Sequence, residues 1–438
     1  MDNQADFDVI VIGAGVLGVT ISYWLSTLYS GRIALLDTAH AAAAHTSARN
    51  TGVIHRPFYL DPVKKQIFAK TSLISHPMWE GLAKREALPW RPIGTFNVAA
   101  EEGEVKTLEK YRRWGLENGM QENELDLLDG REIRDLEPEV SCRAALISKT
   151  DVSVDFGTFT RHLWKRVVSQ GVSFFGGHRV IRVEERNGTA SVETTSGAGL
   201  TKFHSRLMIN AAGGGSLEIA HYCGLGRQYA SLNFRGEYWV VDEPFASRVS
   251  SNIYRPPMFP QYPFLDPHFV VRADGTRQIG PNAVLVPGPY VYSGVGLSEL
   301  DAFLDWPVPP KLRLLGNRDF VSLVVGEWRS SLSKKAMCER VRRFVPRLNP
   351  RMLNRRAVFG VRSSVIDSAG FIPEAILLRG EASAHIINFN SPGATGAPAY
   401  SALVMSQLAQ EGRLEGLSPR DKGPLIPGWD FEEVLDQF

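Results

Sequence analysis

Asp8-Val-Ile-Val-Ile-Gly13-Ala-Gly15-Val-Leu-Gly18 stands near the N-terminus, and Ile33-Ala-Leu-Leu-Asp37 ends nineteen residues beyond Gly18. Together they predict a buried strand, a tight turn, a helix over about Val16–Leu28, a second buried strand and a terminal acid. Gly13 permits the sharp turn, Gly15 lets the backbone approach a pyrophosphate, and Gly18 lets the helix pack close on the sheet. Ala14, Val16 and Leu17 complete the turn, and the free N–H groups of the helix start face phosphates. Asp37, followed by Thr38, accepts from ribose hydroxyls. A glycine triplet alone is weak evidence; with its strand, helix and acid in place, the unit predicts dinucleotide binding.

Outward from this unit, the stretch Ala39-His-Ala-Ala-Ala-Ala-His45-Thr-Ser-Ala-Arg49-Asn50-Thr-Gly52-Val-Ile-His55 is first small, then polar and turn-rich. That composition suits backbone lying against a ligand. Helical periodicity covers Pro62–Glu86, Glu102–Asn118 and Phe156–Ser169, with a turn and short helix at Leu128–Leu136. Strands are expected as a pair at Val172–Gly176 and Val180–Glu184, then at Ala190–Thr194 and Leu207–Asn210. The aromatic, proline-rich region 234–288 reads as strands. Leu297–Leu304 and Lys335–Phe344 read as helices, Val358–Ile366 and Ala384–Phe389 as strands, and Ala399–Gln410 as a closing helix.

This order predicts an α/β chain, α+β overall. A Rossmann-like domain is assembled from residues 1–60, 150–225 and 355–438. Residues 61–149 and 226–354 form an inserted substrate domain of helices followed by an antiparallel sheet.

The bulk numbers exclude several classes. The 438 residues carry a net charge of +2 with no basic stripe, so nucleic-acid binding has no support. Three scattered cysteines, Cys142, Cys223 and Cys338, fit neither a disulfide framework nor a zinc site. No Gly-x-Ser-x-Gly elbow is present. The start of the chain lacks a basic, apolar leader, and no apolar run is long enough to span a bilayer. A cytoplasmic location is expected; peripheral contact with the inner face of a membrane needs no spanning helix.

Several stretches in this order resemble the D-amino-acid-oxidase-like FAD-dependent oxidoreductases, and within them the L-2-hydroxyglutarate dehydrogenase/oxidase branch. They are the His45–His55 segment, Asn210-Ala-Ala-Gly213, Phe234-Arg-Gly-Glu-Tyr238, Pro263-Phe-Leu-Asp-Pro-His268-Phe, Gly280-Pro-Asn-Ala283, Gly360-Val-Arg362 and Ser391-Pro-Gly-Ala-Thr395. The resemblance covers nearly the whole chain. It implies a non-covalent FAD, a 2-hydroxy-acid substrate and hydride transfer to flavin N5. It also implies an electron acceptor: a quinone, another carrier or oxygen.

The resemblance also distributes the contacts. Gly13, Gly15 and Gly18 serve the pyrophosphate, and Asp37 the adenosine ribose. His45, Thr46, Ser47, Arg49, Asn50, Thr51 and Gly52 run past the ribityl chain and one flavin edge. Val180 sits by the adenine, and Ala212 and Gly213 form a second backbone approach. A helix opening at Gly393, Ala394 and Thr395 aims N–H groups at flavin N1 and O2, where negative charge develops on reduction.

Arg362 is expected to hold the substrate carboxylate, because a guanidinium offers a planar fork that lysine lacks. Its apolar flank, Ala357–Val361, argues for burial. Removing the hydroxyl proton needs a base, and histidine titrates near neutrality. His268 and His55 both fit that role, with His268 favoured. Tyr254, Tyr238 and Phe264 shape the pocket. After Val-Ile-His the family pattern continues with a small residue and glycine, whereas this chain has Arg56-Pro57. Arg56 is therefore expected either to meet a second substrate carboxylate or to reshape the pocket for another acid. Two other functions compete: a D-amino-acid or secondary-amine oxidase on the same fold, and a non-catalytic flavin-binding scaffold.

Overall fold

The computed structural model describes residues 6–264, 266–296, 308–421 and 425–438. Strand Phe7–Ile12 lies at the centre of an eight-stranded sheet. It pairs in parallel with Ile33–Asp37 on one side and with the end of Gly199–Asn210 on the other. Val9 to Ile12 are all buried, which is why the strand is a continuous apolar run rather than an alternating one. Parallel strands Ser173–Gly176 and Ser383–Ile387 extend this core outward.

Helix Val16–Leu28 carries no charged residue, and every residue from Val16 to Thr27 is buried. A helix apolar on all sides must be covered on all sides. Its cover comes from the sheet, from helix Phe156–Ser169 and from helix Gly393–Gln410, whose apolar side chains share one core with Trp24, Trp79 and Trp429. Gly13 adopts φ +101°, and a Cβ there would meet the Ala211 carbonyl oxygen at 2.5 Å. A Cβ at Gly18 would fall on the carbonyl oxygen of Gly13.

The closing helix opens where the resemblance puts its start and earlier than the periodicity from Ala399 suggests. It begins at Gly393, six residues before Ala399, and takes Pro398 inside. Proline reads as a breaker, and as the sixth residue of this helix it forgoes one backbone bond, to the Ala394 carbonyl. The Pro398 carbonyl also accepts the Trp24 indole N–H at 3.0 Å.

Helix Gln66–Glu86 departs from the expected boundary at residue 61. Its Ile74, Met78, Trp79 and Leu82 belong to the core of the first sheet. Trp79 Nε1 donates to the Thr395 carbonyl at 2.8 Å, and Ala399 N–H donates to Ser75 Oγ at 3.1 Å. This helix therefore packs with the nucleotide layer, and the chain enters the second sheet only at strand Thr95–Ala99.

The second sheet also has eight strands. Its order is Leu353–Arg356, Trp239–Val241, Arg277–Gly280, His268–Val271, Asn252–Tyr254, Thr95–Ala99, Ala144–Ser148 and Leu125–Asp129. The first insertion thus supplies three strands besides its helices. Thr95–Ala99 and Ala144–Ser148 are buried at every position and show no alternation to find. Asn252–Tyr254 runs parallel to Thr95–Ala99, so the sheet is mixed rather than purely antiparallel. Ser173–Gly176 and Arg179–Arg186 are not partners: the first pairs with Ile33–Asp37 and the second with Thr189–Ser196.

A small third sheet joins Val284–Val286, Ala230–Gly236, Gly360–Asp367 and Gly370–Phe371, and places Phe234 opposite Arg362. Helices Val308–Leu315 and Arg318–Leu332 occupy a region without an expected element. The helix expected at Leu297–Leu304 lies outside the described residues. Among the described residues no helix is long and apolar enough to cross a membrane.

Gly18→Ala should cost about 1–3 kcal/mol, because the added methyl must displace the turn backbone. Thermal melting and flavin retention after gel filtration both read the effect. An unchanged melting temperature with full flavin content would contradict the packing described.

Candidate active site

One long cavity runs from the glycine turn, past the 45–55 segment, to the edge of the second sheet. Its volume of about 340 Å³ falls within the range of small-molecule and cofactor sites. Every residue expected to touch the cofactor lines it except Ala14 and Gly18. Gly18 lies beneath the turn, and the Ala14 N–H donates to Asp37 Oδ2 at 2.6 Å. The other Asp37 oxygen takes the Ala39 N–H at 2.7 Å. Each carboxylate oxygen keeps acceptor capacity for a ribose hydroxyl.

The cavity fits an FAD at several independent points. Helices starting at Val16 and at Gly393 both open onto it, and neither start has a side-chain cap from its own N-cap residue. Ser47 Oγ accepts the Val16 N–H at 2.9 Å and pins the 45–55 segment to the first of them. A Cβ at Gly213 would meet nothing within 4 Å, and this glycine has φ +56°. Arg272, from the second sheet, donates to the carbonyls of Asn50 (2.7 Å) and Thr51, and holds the segment from the other side. His45 Nδ1 bonds Tyr292 Oη at 2.8 Å, and Arg49 lies 4.2 Å over the Tyr292 ring.

At the far end the cavity gathers His55, Tyr254, His268 and Arg362. Tyr254 separates the two histidines: His268 stacks on it at 4.0 Å, and His55 meets it edge-on at 5.5 Å. Their surroundings differ. His268 is 1% exposed; its Nδ1 faces the Asp266 carbonyl at 3.2 Å, and among the described residues its Nε2 has no partner. Burial pushes its pKa down to about 3, and the nearby charges of His55 and Arg362 act in the same direction. His268 is therefore neutral at ordinary pH and a weak base.

His55 has a carboxylate behind it. Its Nδ1 lies 2.9 Å from Asp151 Oδ2. Asp151 is fully buried and accepts three further bonds, from Arg56 N–H (3.0 Å), Thr95 Oγ1 (2.8 Å) and Ser148 Oγ (2.6 Å). An ionised carboxylate only accepts, so the hydrogen sits on Nδ1 and Nε2 is left as the basic nitrogen.

Arg362 donates to the Pro263 carbonyl. Among the described residues no acidic side chain pairs with it; the groups that act on it electrostatically are Tyr238 and Tyr59. Burial lowers its pKa, so an anion placed against it would be held strongly.

Arg56 does not reach the cavity. Its guanidinium pairs with Glu124 at 2.8 Å, and its N–H serves Asp151. The expectation that it meets a second substrate carboxylate is corrected: the side chain is already matched with an acid. Pro57 starts a tight turn, Pro57–Tyr59, that sets Tyr59 edge-on to His55 at 5.7 Å. Asp151 and Arg272 carried no local motif. The only signal for Asp151 was a lone acid ahead of the apolar Val152–Val154 stretch.

Residues 8–408 match the FAD dependent oxidoreductase (DAO) family. The chain belongs to that family. An L-2-hydroxyglutarate dehydrogenase of Indibacter alkaliphilus is 30% identical over 399 residues, covering 89% of this chain and 96% of the relative. A mitochondrial L-2-hydroxyglutarate dehydrogenase of Caenorhabditis briggsae is 26% identical over 412 residues, covering 92% and 93%. Among solved structures, an FAD-bound L-alpha-glycerophosphate oxidase from Mycoplasma pneumoniae superimposes with a TM-score of 0.69 at 23% identity, covering 96% of this chain and 97% of that one. That likeness shows the fold. As an FAD-dependent oxidoreductase, the chain is an enzyme that uses FAD for electron transfer.

Neutral burial of His268 has a consequence for acid stability. Its usual pKa is near 6.5, and in the fold it is about 3. Between these values the unfolded chain binds the extra proton, so stability falls as the pH drops from about 6.5 to about 3. His268→Phe removes this contribution. Relative to that variant, the wild-type protein should lose about 2–3 kcal/mol between pH 7 and pH 4.5. Denaturant melts at the two pH values measure it, and parallel losses in both proteins would refute it.

Proposed function

We propose that this flavoenzyme oxidises a small 2-hydroxy acid, with L-2-hydroxyglutarate as the best match, to the 2-oxo acid. The observation that carries the proposal is His55, backed by Asp151, in one cavity with an Arg362 that no acidic side chain among the described residues pairs with. The names of the curated relatives support the substrate.

Bound FAD supplies the acceptor for the hydride from C2. The protein does the rest. Arg362 anchors the C1 carboxylate through its fork. His55 Nε2 takes the hydroxyl proton, and Asp151 fixes the ring and stabilises the imidazolium that forms. His268, neutral, lines the site; its Nδ1 hydrogen faces the Asp266 carbonyl, so Nε2 offers the substrate only an acceptor. The electrons then leave to a quinone, another carrier or oxygen. A peripheral membrane contact would suit a quinone.

The base is thus reassigned from His268 to His55. Burial leaves His268 too weakly basic, whereas His55 has an anionic partner. The same pair disfavours amine oxidation: an amine can shed its proton to water before binding, so that reaction needs no protein base.

Anaerobic mixing with L-2-hydroxyglutarate should bleach the flavin, and amino acids should not. Bleaching by amino acids alone would overturn the proposal. Asp151→Asn should slow reduction by about 10²–10⁴ with flavin content unchanged, since the ring loses its tautomer and its counter-charge. Arg362→Lys should raise KM by about 10–100-fold through loss of the fork. Unchanged kinetics in both variants would remove their assigned roles.

A further inference from the structure

Helix Arg318–Leu332 turns its polar residues inward and its apolar residues outward. Its buried residues are Phe320, Glu327, Ser330 and Ser331, and only the first is apolar. Its outer side carries Val321, Val325 and Leu332, the last two 64% and 80% exposed. At about 3.6 residues per turn these three fall within about 40° of one another around the helix, opposite Phe320, Glu327 and Ser331. A core alone selects the reverse pattern.

The inward side is complete. Glu327 pairs with Arg340 at 2.8 Å and accepts the Ala283 N–H at 2.8 Å. Ser330 Oγ donates to the Gly326 carbonyl at 3.0 Å. The outward side is what needs explaining. Single exposed aliphatic residues are ordinary, whereas an apolar stripe on a helix that buries polar groups marks a contact surface.

Charge selects the partner. Arg318 and Arg329 lie on the same outer side, within about 40° of Val325. Arg313 on the preceding helix is exposed, as are Lys334 and Lys335 just after Leu332. Asp319 is the one exposed acid from Leu312 to Lys335, against these five bases. The stretch thus presents an excess of four positive charges, where the whole chain has two. An aliphatic stripe with basic flanks matches the headgroup boundary of an anionic bilayer, where the aliphatic groups leave water and the cations meet lipid phosphates. A second copy of the chain fits less well, since a two-fold contact through this stripe would face one cationic side with the same cationic side.

We propose that helix Arg318–Leu332 docks the enzyme on a membrane surface rich in anionic phospholipid. Val321, Val325 and Leu332 enter the headgroup boundary, and Arg318 and Arg329 bind lipid phosphates. The contact is peripheral, and among the described residues no helix is long and apolar enough to span. Phe320, on the inner side, packs in one cluster with Phe234 and Phe264, which line the long cavity. The substrate end of that cavity therefore lies behind the docking face. The docking is independent of which acid the enzyme oxidises.

The test is co-sedimentation of the FAD-loaded enzyme with vesicles of pure phosphatidylcholine or of phosphatidylcholine mixed with phosphatidylglycerol. The wild type should bind the mixed vesicles about tenfold or more tightly than the pure ones. Val325→Ser with Leu332→Ser removes the stripe and should weaken binding to the mixed vesicles by about tenfold or more. Arg318→Gln with Arg329→Gln keeps the stripe and should weaken binding to the mixed vesicles by about tenfold while leaving the pure ones unchanged. None of these residues lines the long cavity, so flavin content and turnover with a soluble dye acceptor should stay within about twofold of wild type.

Wild-type enzyme that stays in the supernatant with both vesicles would overturn the docking. Binding that survives intact in both double variants would overturn it too, by placing the contact on another surface. A wild-type dimer in light scattering that the serine pair splits, without vesicle binding, would assign the stripe to a second copy and refute the lipid. Should the serine pair fail to fold, the glutamine pair decides: wild-type affinity for the mixed vesicles in that variant would refute the proposal.

Discussion

The buried carboxylate of Asp151 ties the segment that lines the cofactor cavity to the second sheet. Four donors converge on it from three places in the chain: His55 and the Arg56 amide, Thr95, and Ser148. The first two follow the segment that lines the cofactor cavity. The other two sit in strands Thr95–Ala99 and Ala144–Ser148 of the second sheet. A buried charge is tolerable only when it is fully hydrogen-bonded. Any shift of that segment against the second sheet would strand an unpaired carboxylate, so the site geometry and the docking of the segment are fixed by the same group. Arg272 adds a second tie in the same direction, from the second sheet to the carbonyls of Asn50 and Thr51.

What was legible in the sequence follows from which constraints are local. The glycine turn was readable because its demands are on backbone angles and close approach: Gly13 holds φ +101° and Gly18 leaves no room for a methyl. Asp37 was readable because its distance from the turn is set by one helix and one strand. The segment after Ala44 was readable by composition, because backbone that faces a ligand is small and polar.

The rest depended on partners far away in sequence. Asp151 and His55 are separated by 96 positions, and neither residue's neighbours announce the other. Arg56 looked available because Glu124 lies 68 positions away. Strands Thr95–Ala99 and Ala144–Ser148 were invisible because burial on both faces erases the alternation that marks a strand. The first turn of the last helix was legible only through the resemblance, because Pro398 speaks locally against a helix that tertiary packing against Thr20, Trp24, Thr71 and Ser75 nevertheless builds.

The two histidines show why residue type alone could not assign the base. Both flank Tyr254, and both line the same cavity. Burial next to a carbonyl makes His268 stay neutral, because protonating it would place a charge where little can solvate it. His55 differs in having Asp151 Oδ2 2.9 Å from its Nδ1, a carboxylate across the ring from Nε2. The cavity thus holds a cation at Arg362, a neutral imidazole at His268 and, at His55, an imidazole backed by a carboxylate. That order suits a substrate with an anionic end, a polar oxygen and a proton to lose. A cation-only pocket would bind the same acid without helping its oxygen lose a proton. Two neutral imidazoles would position the oxygen without an anion to stabilise the transferred charge. The chemistry of the site is set less by which residues line it than by which of them has Asp151 behind it.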